Sequence, residues 1–392
     1  MRLVSALAAA SVVTVLATAA PALATAPPTA PGTRTATVAP AQGHEATGQE
    51  VRALLSTGTP GALAVAEDSR GTWYASAGTA ERGASVTPLP EHRFRAGSIT
   101  KMFTATALVQ LAAQGRLRLD DTVDRWLPGL VRGNGNDGRN ITLRQLLNHT
   151  SGLYDYTSDP DFVRSYLTGE NFLRHRFDRF TPQQLIATAL THPPYHAPGR
   201  GWNYSNTNYA LAGLVIEKAS GRTYAGQLRR TILEPLGLRQ TTVPGTSVEV
   251  PAPRLRGYSK LGENDPSAPV HDVTRMSPTV PNAAGEIIST APDLNRFLSA
   301  LMSGRLVPEP WLRQMRTTVP LNDQLSYGLG LLARRLPCGK TAWGHGGQIQ
   351  GYLSYAAATD DGTHRATVAI NSDWPDPARL DKVLDAEFCQ AS

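Results

Sequence analysis

Lysine is scarce in this 392-residue chain, and the scarcity draws attention to the few lysines present. Only five of the 38 basic residues are lysines, so arginine carries nearly all of the positive charge. An arginine does not lose its proton in a protein, whereas a desolvated lysine can. Lys101 lies three residues after Ser98, at the start of a mostly apolar segment. It is therefore the first candidate for a proton-accepting side chain.

Cysteine is nearly absent as well. The chain contains only Cys338 and Cys389, and no Cys-x-x-Cys or His-Glu-x-x-His pattern occurs. The sequence therefore predicts neither a metal site nor a cofactor. Two cysteines in an exported protein favour a disulfide between them. A disulfide that closes a loop of this length would stabilise the fold by roughly 4 kcal/mol.

Long apolar runs are confined to the N-terminus. Residues 1–24 combine a positive start at Arg2, an apolar core and the small-residue end Ala22-Leu-Ala24, which is typical of a secretory signal peptide. Nothing later in the chain resembles a transmembrane helix. We expect a secreted protein with no membrane span after signal removal. Residues 25–46, rich in Ala, Pro and Thr, are predicted to form a flexible leader.

Concentrated positive charge is missing too. The formal net charge of +6 arises from arginines scattered along the chain, with no run typical of a nucleic-acid-binding tract. We therefore expect no nucleic-acid partner. With 41% hydrophobic and 18% charged residues, the composition is that of an ordinary globular protein.

Strand signals lie at both ends of the chain, and helix signals lie between them. Two hairpins are predicted, one at 62–77 and one at 350–370 around Asp360-Asp-Gly362. Helices are predicted at 47–56, 99–114, 208–219, 293–303, 309–316 and 377–388. The expected fold class is α/β of the α+β type. One antiparallel sheet would be built from both chain ends and flanked by terminal helices, with a mainly helical region in the middle.

These signals define the expected domain boundaries. One domain should span residues 47–389, after the signal peptide and the leader. Its sheet part would comprise 47–97 and 285–389, and its helical part 98–284.

Ser98 and Lys101 supply the first chemical element. Residues three apart lie on one face of a helix, with Cβ atoms roughly 5–6 Å apart. A neutral lysine at that spacing can accept the proton of a serine hydroxyl and make it a nucleophile. Free lysine titrates near 10.4, so burial must lower the pKa of Lys101. A helix-terminal serine followed by a surface lysine would give the same pattern.

Two further polar elements occur downstream. Tyr204-Ser-Asn206 could place a phenol near the lysine, where a neighbouring ammonium can lower its pKa. Asn206 could hold a substrate carbonyl or the lysine itself. In His345-Gly346-Gly347, the paired glycines permit close approach of a ligand backbone. Each element also has a purely structural explanation, as a helix cap and as a strand corner. A Ser-His-Asp triad using His149, His192 or His345 stays open as well.

Together, the three elements in this order resemble the serine β-lactamase and penicillin-binding-protein superfamily, in its class C-like branch. The resemblance covers roughly residues 47–389 and is closest to the secreted D-alanyl-D-alanine carboxypeptidases of actinomycetes. Supporting stretches lie at 146–153, 209–217, 285–290, 293–294 and 327–330. In these carboxypeptidases the C-terminal region also carries a disulfide, which corresponds here to Cys338 and Cys389.

The resemblance implies a role for each residue. Ser98 would attack the carbonyl and become acylated, while Lys101 and Tyr204 handle proton transfer. His345 stands where many relatives carry a lysine or histidine. The backbone N–H groups of Ser98 and Gln348 would form the oxyanion hole.

The resemblance also implies substrate-binding positions. Asn206 would bind the amide on the acyl side, and Gly346, Gly347 and Leu332 would lie along the substrate. Two departures concern the leaving group, because the carboxypeptidases often have threonine where this chain has Gly346, and arginine where it has Leu332. Arg334 shares a strand face with Leu332 and sits roughly 6.6 Å along it. From the sequence it stays open whether Arg334 supplies the cation that is missing at Leu332.

The expected function is therefore an acyl-enzyme serine hydrolase that needs no cofactor. A D-alanyl-D-alanine carboxypeptidase acting on peptidoglycan stem peptides is the first expectation. An esterase, β-lactamase or D-amino-acid amidase of the same superfamily is the alternative, and a non-catalytic binder of cell-wall peptide is the third. The expected partners are peptide, ester or amide substrates and β-lactam inhibitors.

Overall fold

A computed structural model describes residues 43–263 and 265–390 of the protein. The predicted signal peptide and residues 25–42 of the predicted leader lie outside the described residues. The leader was predicted to extend to residue 46, but the first helix already begins at Glu45. His44, just before it, is buried against Glu387 near the C-terminus, so these residues belong to the folded domain.

The centre of the fold is an eight-stranded antiparallel sheet with the order β2-β1-β14-β13-β12-β11-β10-β9. Its strands come from both ends of the chain, which confirms the predicted architecture. They are β1 (Gly61–Asp68), β2 (Gly71–Gly78), β9 (Val319–Pro320), β10 (Leu325–Tyr327), β11 (Leu332–Arg335), β12 (Thr341–Ile349), β13 (Tyr352–Ala358) and β14 (Arg365–Ile370). Within the described residues, three two-stranded pairs lie outside it: β3 (Phe94–Arg95) with β8 (Ile288–Ser289), β4 (Arg132–Gly133) with β5 (Asn136–Asp137), and β6 (Tyr258–Ser259) with β7 (His271–Asp272).

Helices cover both faces of the sheet and fill the middle of the chain. They are α1 (Glu45–Ala53), α2 (Thr100–Ala113), α3 (Val123–Trp126), α4 (Leu143–Leu147), α5 (Pro160–Phe162), α6 (Gly169–His175), α7 (Pro182–Leu190), α8 (Asn206–Ser220), α9 (Tyr224–Leu228), α10 (Glu234–Leu236), α11 (Asn282–Gly285), α12 (Ala291–Met302), α13 (Glu309–Met315) and α14 (Ala378–Phe388). Short 3₁₀ and π turns connect several of them.

The strand residues alternate between two hydrophobic layers, as side chains on successive strand positions must. On β1, Leu63 and Val65 face the larger core beneath α2 and α12. Ala62 and Ala64 face the smaller core, which α1 and α14 cover. The terminal helices thus pack on the face opposite the helical region.

Helix α2 is buried on all sides, because every residue from Thr100 to Ala112 is buried. It packs against α8 and α11. Its sequence is apolar all round, which is typical of a helix inside a core. Lys101 is buried together with the rest of this helix. Its side chain contacts polar groups at the N-terminal end of the helix.

The two cysteines form the predicted disulfide. Cys338 follows β11 and Cys389 follows α14, and their Cα atoms are 5.5 Å apart. Lys340 donates to the Phe388 carbonyl beside it at 3.1 Å. These contacts attach the C-terminal helix to the β11–β12 turn. No helix in the described ranges is long and apolar enough to cross a membrane.

Candidate active site

Ser98 lies in a 3₁₀ turn, Gly97–Ile99, at the N-terminus of α2. Gly97 has a positive φ of 53°, and a Cβ there would lie 2.9 Å from the Gln348 backbone. A Cβ at Gly347 would strike the Ala96 carbonyl oxygen. The missing side chains therefore let β12 run directly against the turn. This packing brings the Gln348 backbone against Gly97, the residue before Ser98. The oxyanion hole itself stays a prediction.

The Lys101 ammonium points back to the same turn. Its Nζ donates to Ser98 Oγ at 3.1 Å, to Asn206 Oδ1 at 2.7 Å and to the Ala284 carbonyl oxygen at 2.9 Å. Burial lowers the pKa of Lys101 to about 7, although the nearby Asp155 carboxylate raises it. A large fraction of the amine is therefore neutral near pH 7, the state in which it can accept the serine proton.

Tyr204 completes the surroundings of the serine. It lines both cavities together with Ser98, and Lys101 Nζ lies 4.7 Å from the centre of its ring. The sequence suggested that the lysine could lower the pKa of this phenol. Burial instead raises the pKa of Tyr204 above its ordinary value, because a buried phenolate loses its hydration. Tyr204 is accordingly a neutral phenol in the resting site, able to donate one proton and accept another.

Asn206 begins α8 and faces Lys101 through its amide oxygen. Its Nδ2 donates to Asp155 Oδ2 at 3.1 Å and to Thr157 Oγ1 at 3.0 Å, so both amide ends already have protein partners. Of the two roles considered from the sequence, holding the lysine is the one the geometry displays. Asp155 was not predicted from the sequence. Its only signal was its position after the polar run His149-Thr-Ser-Gly152.

His345 lies in the middle of β12, between β11 and β13, and not at the strand corner considered from the sequence. Its Nδ1 lies 2.5 Å from the Gly346 carbonyl oxygen, which can only accept, so Nδ1 carries the proton. Its Nε2 then accepts from the Tyr327 hydroxyl at 2.9 Å. Burial, assisted by the positive charge of Lys101, lowers the pKa of His345 to about 3. The imidazole is therefore neutral under physiological conditions.

His149 is a buried residue whose contacts the sequence did not reveal. The Ser205 backbone N–H and the Asn208 amide both donate to its Nδ1, at 3.2 Å and 3.1 Å. A backbone N–H can only donate, so His149 is the neutral Nε2–H tautomer. Its ring centre lies 4.4 Å from that of Tyr204 and 4.8 Å from that of Tyr327.

A Ser-His-Asp triad is not what the described residues assemble. Among the described residues, the side chain that hydrogen-bonds Ser98 Oγ is that of Lys101, and the Tyr204 ring lies beside this lysine. His192 instead hydrogen-bonds Asp159 at 2.8 Å. The lysine and the phenol therefore occupy the positions next to Ser98 that a triad histidine would need.

Two cavities meet at Ser98. The larger, of about 780 Å³, extends past Asn206, Gln350 and Trp374. The smaller, of about 350 Å³, extends over Gly346 towards Leu332 and the start of α14. The resemblance places the leaving group on the Leu332 side, so the larger cavity corresponds to the acyl side. We use the names acyl cavity and leaving-group cavity for them below.

Arg334 does not face the leaving-group cavity as a free cation. Its Nη1 and Nη2 donate to the two carboxylate oxygens of Asp385 at 2.5 Å and 3.0 Å, and its Nε lies 3.7 Å from Asp381. A guanidinium with this bidentate partner has its fork already occupied. It cannot replace the arginine that is absent at Leu332.

Comparison with known proteins agrees with this geometry. The family model described as Beta-lactamase matches residues 38–390. The chain belongs to the Beta-lactamase family. This family lies within a superfamily of serine hydrolases that includes penicillin-binding proteins, β-lactamases and D-amino-acid amidases, which confirms the resemblance drawn from the motifs.

Solved structures of this superfamily align over most of the chain. A D-stereospecific amidohydrolase from Streptomyces sp. is 50% identical, with a TM-score of 0.83, and the match covers 89% of this chain and 99% of that one. The D-amino acid amidase from Ochrobactrum anthropi SV3, complexed with L-phenylalanine amide, is 29% identical, with a TM-score of 0.75 and coverage of 88% and 98%.

Among curated relatives, penicillin-binding protein 4* of Bacillus subtilis is 29% identical over 76% of this chain. Penicillin-binding protein 4 of Amycolatopsis lactamdurans is 32% identical over 60% of it. The matches span 62% and 57% of those two relatives' own lengths. The Beta-lactamase family domain therefore corresponds to only part of each.

Proposed function

We propose that the protein hydrolyses amides and esters of D-amino acids through an acyl-enzyme on Ser98. Neutral Lys101 accepts the hydroxyl proton as Oγ bonds to the substrate carbonyl carbon. The Ser98 and Gln348 backbone N–H groups receive the oxyanion. The proton then passes through Tyr204 to the departing nitrogen or oxygen as its bond to carbon breaks. Water attacks the ester carbonyl by the reverse proton route and frees the serine.

The observation that carries the choice of substrate is the state of Arg334. A D-alanyl-D-alanine carboxypeptidase must hold the free carboxylate of its leaving group, and a carboxylate that is desolvated without a partner is costly. Here Leu332 carries no charge, and the guanidinium of Arg334 is already paired with the carboxylate of Asp385. A neutral leaving group, such as ammonia, an amine or an alcohol, needs no such cation. The names of the amidohydrolase and amidase relatives agree with this choice.

The acyl cavity supports a substrate with a free amino group. Its lining contains the carboxylates of Asp155, Glu263, Asp373 and Asp376, and neither lysine nor arginine among the described residues. A cavity lined by one sign of charge attracts the opposite charge. An α-ammonium fits this wall better than an N-acylated or anionic group.

D-Alanyl-D-alanine carboxypeptidase activity is the second candidate, because the curated relatives are named as penicillin-binding proteins. A direct comparison separates the two. We would measure kcat/KM for D-phenylalanine amide, its N-acetyl derivative, L-phenylalanine amide and an acyl-D-Ala-D-Ala peptide. The proposal expects the free D-amide to be the best substrate. Faster turnover of the D-Ala-D-Ala peptide would overturn it in favour of the carboxypeptidase.

The mechanism has its own test. A fluorescent penicillin or an activated ester should leave an adduct on Ser98, located by mass spectrometry, and Ser98→Ala should abolish it. If neither reagent acylates the natural protein, that result would contradict the hydrolase proposal and favour a binding module. We further propose that the protein is secreted, with cleavage near Ala24. N-terminal sequencing of the protein recovered from culture medium tests this.

A further inference from the structure

The floor of the leaving-group cavity is the ring of Tyr355, which is exposed because Gly346 opposite it has no side chain. Gly346 on β12 and Tyr355 on β13 are directly opposite each other in the antiparallel register. A Cβ at Gly346 would lie 3.6 Å and 3.7 Å from two carbons of the Tyr355 ring. Gly346 therefore leaves the ring uncovered on the side towards the cavity, and Tyr355 is partly accessible.

The remaining walls of this cavity are mainly apolar. Its lining includes Leu332 on β11 and, at the start of α14, Pro377, Ala378 and Leu380. Leu380 is buried in the smaller core, against which Tyr355 also packs. Asp381 is the single charged residue in the described lining, and it lies 3.7 Å from Arg334 Nε. The cavity thus combines an aromatic floor with aliphatic sides, and its volume of about 350 Å³ has room for a ring.

We propose that this cavity is a subsite for a bulky, uncharged, aromatic leaving group, which lies on Tyr355 in the space left by Gly346. The inference rests on the proposed function, because it assumes that D-aminoacyl esters or amides are hydrolysed at Ser98. Aromatic pairs contribute beyond the apolar area that they bury. An arylmethyl alcohol or an arylalkyl amine is therefore a better leaving partner here than methanol or ammonia.

The experiment compares D-phenylalanine benzyl ester with D-phenylalanine methyl ester. The two share the acyl group, so the ratio of their kcat/KM values reports on the leaving-group side alone, once divided by the ratio of their alkaline hydrolysis rates. The corrected ratio should exceed one in the natural protein. We expect both Tyr355→Leu and Gly346→Ala to lower this ratio, by about threefold to tenfold.

Gly346→Ala is the more informative of the two variants, because it leaves Tyr355 itself unchanged. A Cβ there meets only ordinary van der Waals contacts, and the backbone has no positive φ, so the change covers the ring without strain. Leu167→Ala, on the wall of the acyl cavity, is the matched control. It should alter both esters by the same factor and leave the ratio as it was.

The outcomes distinguish this inference from the function on which it rests. Turnover of neither ester nor amide would overturn the proposed function and the inference together. Turnover with a corrected ratio that neither Tyr355→Leu nor Gly346→Ala changes would overturn the inference alone. A ratio that falls with Leu167→Ala as much as with Gly346→Ala would also count against it.

Discussion

Asp155 fixes the orientation of Asn206. The carboxylate accepts from the Asn206 backbone N–H at 3.1 Å and from its Nδ2 at 3.1 Å, so Oδ1 of the amide must face Lys101, 2.7 Å away. An amide without that anchor could rotate and present its NH₂ to the lysine. Asp155 therefore acts on the lysine in two ways, through its charge and through the amide that it orients.

The first prediction concerns this carboxylate. Asp155→Ala should lower the rate of Ser98 acylation by about tenfold or more, since hydrogen bonds to charged groups are worth roughly 1.5–3 kcal/mol. Removing the charge should also lower the pKa of Lys101, so the acidic limb of the kcat/KM profile should move to lower pH. Asp159→Asn is the control, because Asp159 pairs with His192 outside the Ser98 hydrogen-bond network. An unchanged pH profile in Asp155→Ala would argue against the coupling.

The second prediction is the pH dependence itself. The neutral amine of Lys101 is the reactive form, and its pKa is lowered to about 7. We expect kcat/KM for a D-amino-acid amide to rise with pH through this value and to fall again above about pH 8, where the α-ammonium of the substrate loses its proton. His345, with its pKa lowered to about 3, should contribute no limb above pH 5. Lys101→Arg cannot supply a neutral base, and a loss of roughly 10²–10⁴-fold is expected. Retained acylation in Lys101→Arg would show that another group is the base.

The third prediction is that His149 positions Tyr204, whose ring lies against its own, by accepting the N–H of the next residue, Ser205. The φ of 63° at His149 suits glycine and asparagine, and asparagine Oδ1 replaces Nδ1 as an acceptor for the Ser205 N–H. His149→Gly should slow acylation by about tenfold, while His149→Asn should restore most of the rate. The unfolding temperatures of both variants show whether a slower rate reflects lost positioning or lost stability. Thr367→Val, which removes a buried hydrogen bond to Asn295, is the control for stability. Equal losses in the Gly and Asn variants would contradict the role of the acceptor.

The fourth prediction addresses the leaving group. Leu332→Arg places a cation at the wall of the leaving-group cavity, and Asp385 still occupies Arg334. The rate for a D-Ala-D-Ala peptide should rise relative to that for D-phenylalanine amide, by about tenfold for one charge-assisted hydrogen bond. Leu332→Met is the matched control of similar size. A ratio that does not change in Leu332→Arg would mean that the carboxylate does not reach this position.

The fifth prediction is about stability. The Cys338–Cys389 bond spans 51 residues, and its removal by Cys338→Ala with Cys389→Ala should cost roughly 4 kcal/mol in the chain-entropy model. The unfolding midpoint in urea should fall accordingly. Because α14 lines the leaving-group cavity, turnover of bulky esters should suffer more than that of methyl esters. An unchanged midpoint would show that the helix is held by its packing alone.

Much of the fold followed from local patterns. The hairpins, α2, α12 and α14 lie within two residues of their predicted ends, because their apolar periodicity and turn residues agree with the tertiary structure. The first helix was placed two residues late, since the contact of His44 with Glu387 joins positions 343 apart in the chain. No local pattern carries that information.

The site divides in the same way. The spacing of Ser98 and Lys101 predicts their contact, because three residues on a helix return to the same face. The sequence could not show that burial raises the pKa of Tyr204, or that Arg334 forms an ion pair with Asp385. Both depend on which distant groups pack around a side chain.

By itself, the sequence identified Ser98 and Lys101 as the candidate nucleophile and base, and it determined the order of the motifs and the two-ended sheet. These follow from short-range spacing and from hydrophobic periodicity, which the chain carries locally. Only the tertiary structure decided the protonation states and the character of the leaving-group cavity. Desolvation and charge pairing depend on residues far apart in sequence, such as Gly346 and Tyr355 on neighbouring strands or Arg334 and Asp385 across β11 and α14.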